Sequence, residues 1–186
     1  GGLNLGGDWS AQAGVWQGDP PGMTGAMHRG ALWVAEADHR WKDAEHVGGA
    51  LKLGAWHLQQ SNPAYGADSG GLYAVSEWRW KDAARRNWAA FLQGGWSPAA
   101  SNPVQAYVST GVRFVGITPA RPADVLTLGI AQARLQSLPS ETVIEAVYSL
   151  ELVPHLYLQP DIQRIRHPGG TPGRLWVAGL RVHIEQ

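Results

Sequence analysis

The chain has 186 residues, with 15 lysines and arginines against 15 aspartates and glutamates, ten tryptophans and no cysteine. Balanced, interleaved charge offers nucleic acid no basic patch, and the absence of thiols removes disulfides and thiolate metal sites. No run approaches the roughly 20 apolar residues of a membrane-spanning helix, but a transmembrane β-strand needs only about 9–11 residues, with apolar side chains at alternate positions.

The opening GGLNLGG has neither an initiator methionine nor the basic and apolar regions of a signal peptide, which is expected of a mature or truncated piece. Ten strands are then expected: Trp9–Gln17, Ala31–Trp41, Gly49–Gln59, Gly71–Trp80, Asn87–Ser97, Val104–Phe114, Val125–Leu135, Thr142–Leu152, Leu156–Arg166 and Leu175–Ile184. Clusters such as DPPG, QSNPAYGADSGG, SPAASNP, TPARPAD and HPGGTPG separate them, proline fixing φ and glycine supplying positive φ. The best helix candidate, Trp80 to Leu92, carries Lys81, Asp82, Arg85 and Arg86 where a turn between strands is due, so a single helical turn is the most expected there. Short and long connections alternate, which predicts one domain over residues 1–186, a meander with one tight rim and one roomy rim.

The segment from Glu141 to Gly170 is the clearest hairpin. Ile144, Ala146, Tyr148, Leu150 and Leu152 share one parity, while Glu145, Ser149 and Glu151 share the other. After the tight turn at Val153-Pro154-His155, Leu156, Leu158, Pro160 and Ile162 alternate with Tyr157, Gln159, Asp161 and Gln163. This is the period-two pattern of strands with two unlike faces, and it suits either a lipid-facing barrel or a soluble sandwich.

The tryptophans act as a ruler. Trp33 and Trp41 are eight residues apart, as are Trp88 and Trp96. An even separation puts each pair on one face, about 26 Å apart at roughly 3.3 Å per residue, or about 20 Å of height after a 40° tilt. That approximates the apolar band of a bilayer, whose two interfaces favour an indole with an apolar body and one N–H. Ala90, Leu92 and Gly94 lie on the same face as the second pair, while Ala35, Ala37 and the less comfortable His39 lie with the first. The alternative places these rings in the core of a soluble β-sandwich.

The blocks ETVIEAVYSLELVP, LYLQPDIQRIRHPGG and LWVAGLRV, preceded in order by AQAGVWQGDP, GALWVAEADHRW, ALKLGAWH, GGLYAVSEWRW and VQAYVSTGVRFVGITPARPAD, resemble the OprB-type carbohydrate-selective porins over nearly the whole chain. The resemblance implies an all-β, antiparallel transmembrane β-barrel in a Gram-negative outer membrane, a passive channel in contact with lipid and small carbohydrates. Family members are longer and close about sixteen strands, so this chain resembles their C-terminal portion, lacking the N-terminal strands. Closure then requires those strands, a smaller barrel, or association of copies.

With Trp33 and Trp41 toward lipid, the opposite parity turns Glu36, Asp38 and Arg40 inward. The same logic gives Lys52 and Trp56, Glu77 and Arg79, Gln93, then Gln105, Tyr107, Ser109 and Arg113, then Glu145, Ser149 and Glu151, then Gln159, Asp161 and Gln163, and last Arg181. Charges of both signs, amides and rings suit sugar hydroxyls and pyranose C–H faces, with Trp56 and Arg79 expected at a constriction. Many of these groups would also pair with each other and merely keep a pore wet.

No catalytic, metal or cofactor site is expected. Glu145 with Glu151, or Glu36 with Asp38, could imitate a glycosidase pair, but carboxylates at even spacing arise from any polar strand face. No GxSxG elbow, HxH or HExxH spacing, or glycine-rich nucleotide loop occurs. Two departures from the family stand out: Pro160 in mid-strand, where a bulge is expected, and an end at Ile184-Glu185-Gln186 in place of an aromatic residue. The remaining alternatives are a soluble sugar-binding barrel or sandwich and an outer-membrane export or assembly barrel.

Overall fold

Alternating side chains produce one antiparallel sheet whose strands run in sequence order. They are β1 (Gly2–Gly6), β2 (Trp9–Gln17), β3 (Ala31–Lys42), β4 (Gly48–Gln59), β5 (Ser69–Lys81), β6 (Asn87–Trp96), β7 (Val104–Val115), β8 (Val125–Leu135), β9 (Glu141–Val153), β10 (Leu156–Arg166) and β11 (Arg174–Ile184). The computed structural model describes residues 1–17, 30–42, 48–59, 67–82, 86–98 and 102–184. All ten expected strands are present within about two residues of their expected ends.

β1 is the additional strand. Its sequence GLNLG is rich in glycine and too short to show a pattern, but Leu3 pairs with Ala11 and Asn4 with Ser10. The Gly7–Asp8 turn that follows needs left-handed backbone, with φ of 58° and 69°. The helix candidate is resolved toward strands: β5 runs to Lys81 and β6 starts at Asn87, with Ala83, Ala84 and Arg85 outside the described residues.

Connections on one rim are 2, 5, 5, 9 and 2 residues long, and on the other 13, 9, 7, 5 and 7. Pro154-His155 is one of the two tightest, where proline precedes a residue at φ 71° and a one-residue register shift follows at Leu156/Tyr157. The bulge expected at Pro160 is absent. Register with β9 is the same on either side of it, from Leu158↔Leu150 to Asp161↔Val147, and pairing with β11 is continuous. Instead of a backbone detour, Gln159 Nε2 donates to Ser149 Oγ at 3.1 Å beside the proline.

No large apolar residue is buried among the described residues, and the sheet has no second layer. This overturns the sandwich alternative: Trp33 is 51% exposed and Trp96 55%. Both share a face with Leu53, Leu72, Leu92, Ile130, Ile144, Ile162 and Leu180, as the cross-strand register requires. Near the tight rim this face carries Trp9, His39 and Trp41, with His39 stacked between the indoles at 4.4 and 5.9 Å, and Trp88 set 6.2 Å from Trp80 and 4.4 Å from Phe114. The stack accounts for a histidine at this level. Near the roomy rim lie Trp33, Trp96 and Trp176, so aromatic rings mark both ends of an apolar band.

The opposite face is polar and concave. Its Asp38 and Ser109 are buried although nothing covers the sheet, and Tyr73 on β5 reaches across β4 to Glu36 on β3. Several large side chains lie flat over the glycine directly paired with them: Tyr73 over Gly54, Phe91 over Gly111, and on the other face Trp41 over Gly49. A Cβ on any of these glycines would strike the ring, so glycine here provides a seat for its neighbour.

Candidate functional site

The concave face is built from rows of paired residues. One row runs Gln12–Glu36–Gly54–Tyr73 across β2 to β5. Because Gly54 has no side chain, the Tyr73 hydroxyl donates to Glu36 Oε2 at 2.8 Å; Gln12 Nε2 donates to Oε1 at 2.9 Å, and Lys52 Nζ lies 3.5 Å from the same oxygen. Glu36 is thereby fixed by three donors from three other strands. Neither Gln12 nor Tyr73 was singled out from sequence, although Tyr73 shares parity with Glu77 and Arg79.

Next along the strands, Asp38 accepts from Arg40 at 2.8 Å, and Glu77 from Arg79 at 3.0 Å. Each pair spans i and i+2 on one strand, and both guanidiniums stay mostly exposed, at 71% and 72% of the side chain. The carboxylate orients the guanidinium, while its remaining N–H groups point into open space. Arg79, Glu77, Phe91, Gln93, Arg113 and Thr127 line a hollow of about 780 Å³ on this face. Arg113 has no hydrogen-bond or ion-pair partner among the described residues.

Toward the last strands, Gln163 Nε2 donates to Glu145 at 2.7 Å, and Asp161 leans over Gly179. Arg181 pairs in register with Gln159 on the same face. Every residue expected inside by parity falls on the concave face except Gln105, which sits at a bulge between Val104 and Ala106. Trp56 and Arg79, both expected at a constriction, are not neighbours. Trp56 pairs with Gly71, eight residues along β5 from Arg79, so they stand about 26 Å apart along the strand, near opposite rims.

At the tight rim the β7–β8 connection folds back on β9. Asp124 accepts from the Arg121 guanidinium, from the Tyr148 hydroxyl at 2.9 Å and from the Glu151 amide at 3.1 Å, and Arg121 Nη2 donates to the Glu151 carbonyl at 3.0 Å. The Arg121 hydrogen bond holds the Asp124 carboxyl below the usual range against the opposing effect of burial, with help from Tyr148 and Glu151. Asp124 in turn raises the Arg121 guanidinium.

The family model for carbohydrate-selective porins, OprB family, matches residues 3–185. The chain belongs to the carbohydrate-selective porin, OprB family. This OprB-family sheet superposes on the high-pH structure of Pseudomonas putida OprB with a TM-score of 0.86 at 18% identity, over 98% of this chain and 57% of that one. The low-pH structure of the same protein gives a TM-score of 0.71 at 19% identity, over 98% and 52%. The chain thus spans just over half the length of these porins and shares their barrel fold. No curated protein sequence matches it. As an OprB-family protein it is a β-barrel protein of the bacterial outer membrane, its apolar face toward lipid, and the family sets aside the export or assembly barrel.

Proposed function

We propose that this chain forms part of the wall of a passive channel through which small carbohydrates diffuse across the outer membrane. The observation that carries the reading is the sorting of one sheet into an apolar face and a concave face bearing both charges, amides and rings, in a chain of the carbohydrate-selective porin family. Arg40 and Arg79 are each tethered by a neighbouring carboxylate, so they offer directed N–H donors with little net field. Neutral sugars with many hydroxyls suit such donors better than ions do. Trp56, Phe91 and Tyr107 add ring faces for pyranose C–H surfaces at different heights. The contacts are spread over the wall, and weak distributed sites release a solute readily. Passage by diffusion calls for no chemistry on the solute and no cofactor.

The test is conductance across a planar bilayer of the protein purified from outer membranes, with and without a linear glucose oligosaccharide. Stepwise channels partly blocked by the sugar are expected. Absence of channels, or channels indifferent to every sugar tried, would sink the reading.

A further inference from the structure

The apolar face contains one departure from its own rule. Among the described strand residues its only lysine, arginine, aspartate or glutamate side chains are Arg134 on β8, Arg164 and Arg166 on β10, and Arg174 on β11. All four are exposed and all lie toward the roomy rim. Arg166 pairs directly with Arg174, and Thr142 pairs with both Arg166 and Gln132, one step along β8 from Arg134. Directly opposed side chains stand about 5 Å apart at Cβ, so two like charges there repel when nothing lies between them. No carboxylate among the described residues pairs with any of the four; Glu141, at the start of the intervening β9, belongs to the other face and accepts from the Gly169 amide. Arg164 also sits 5.7 Å from the Trp176 ring, which anchors its guanidinium at the level where indoles meet the membrane interface.

Outer-membrane barrels place short turns in the periplasm and longer loops outside, so the roomy rim meets the outer leaflet. At the tight-rim end of the same face the described strand residues supply rings and no arginine, and Arg86 in the connection beside Trp88 and Phe114 is already paired with Asp82 at 2.7 Å. Arginine forks bind phosphate through two parallel N–H bonds, and a basic cluster at headgroup depth is a lipid-phosphate site. We infer that Arg134, Arg164, Arg166 and Arg174 form a docking site for the phosphate groups of a phosphorylated glycolipid in the outer leaflet, held against the outside of the barrel. The bound phosphates neutralise the Arg166–Arg174 repulsion and fix the lipid beside β8 to β11. This inference uses the membrane placement and not the nature of the solute, so its failure leaves the sugar-channel reading untouched.

The test is native mass spectrometry of the detergent-solubilised protein from outer membranes, titrated with diphosphoryl lipid A, dephosphorylated lipid A, or inorganic phosphate. Diphosphoryl lipid A is expected to bind at least tenfold more tightly than its dephosphorylated form. The variant Arg134→Gln, Arg164→Gln, Arg166→Gln, Arg174→Gln is expected to lose that preference, while Arg40→Gln with Arg113→Gln on the concave face keeps it. Should the fourfold variant fail to fold, Arg166→Gln with Arg174→Gln leaves the Arg164–Trp176 contact in place and reads the same preference. Equal binding of the two lipids, equal binding by wild type and variant, or saturation of the site by inorganic phosphate alone overturns the inference.

Discussion

Gly54 shows how a residue without a side chain can build a site. It is the gap through which Tyr73 reaches Glu36, so Gly54→Val places methyl groups against the ring and breaks the hydroxyl contact. Tyr73→Phe, which deletes only a hydrogen bond to a charged group, is expected to cost about 1.5–3 kcal/mol, and Gly54→Val, which loses the same bond, about 1–3 kcal/mol more from overpacking. Urea midpoints of the two variants in lipid check the order. Arg113 has the opposite character, a guanidinium with no partner among the described residues. Arg113→Ala is expected to weaken sugar block of the channel about 3–10-fold and to shift reversal potentials in a salt gradient toward cations, whereas an unchanged block constant would exclude it from the solute path. Parity made the inward set legible in sequence, because deciding a face takes only the knowledge of whether two positions are an even number apart. Parity says nothing of height: Trp56 and Arg79 have the right face and opposite ends, and only cross-strand register reveals it.

At the scale of elements, the β7–β8 connection is held as a clamp by Asp124. The sign of its pH dependence follows from the depressed carboxyl: its stabilising effect is present above the ordinary carboxylate range and is lost as pH falls through the lowered value. Hydrogen-exchange protection of residues 116–124, taken relative to the intrinsic rate at each pH, is therefore expected to fall on acidification, and Asp124→Asn to be weakly protected at every pH. Protection that does not change with pH would remove the clamp. Nothing in TPARPAD announced this arrangement, since its partners Tyr148 and Glu151 lie more than twenty residues away. The long strands were legible because each carries enough alternating positions to fix its face, and β1 was not, with two glycines in five residues. Pro160 shows a third kind of result. Pro160 stays in register with Leu180 on β11 and drops out of the β9 ladder without shifting it, so a residue that usually signals a bulge is absorbed in place.

For the whole molecule, the two aromatic rows define the depth at which the sheet sits. Brominated lipids with bromine near the headgroup are expected to quench tryptophan emission more strongly than lipids brominated near the chain ends, because Trp9, Trp41 and Trp88 lie at one interface and Trp33, Trp96 and Trp176 at the other. Equal quenching at both depths would contradict the girdles. An all-β chain was readable from periodicity, and the barrel reading came from tryptophan spacing together with the family resemblance; closure was not readable, because it depends on what pairs with the free edges of β1 and β11, and unpaired edges are not tolerated in lipid. The wall itself has a further property. Its packing runs overwhelmingly between sequence neighbours, so each hairpin is a module that meets only the modules before and after it. Removing one hairpin takes two strands, about 9.5 Å, from the circumference and leaves the alternation of faces intact in everything that remains. Pore width is therefore a quantity that this architecture can change by counting, through gain or loss of whole hairpins, with new contacts needed only at the seam where the remaining strands meet.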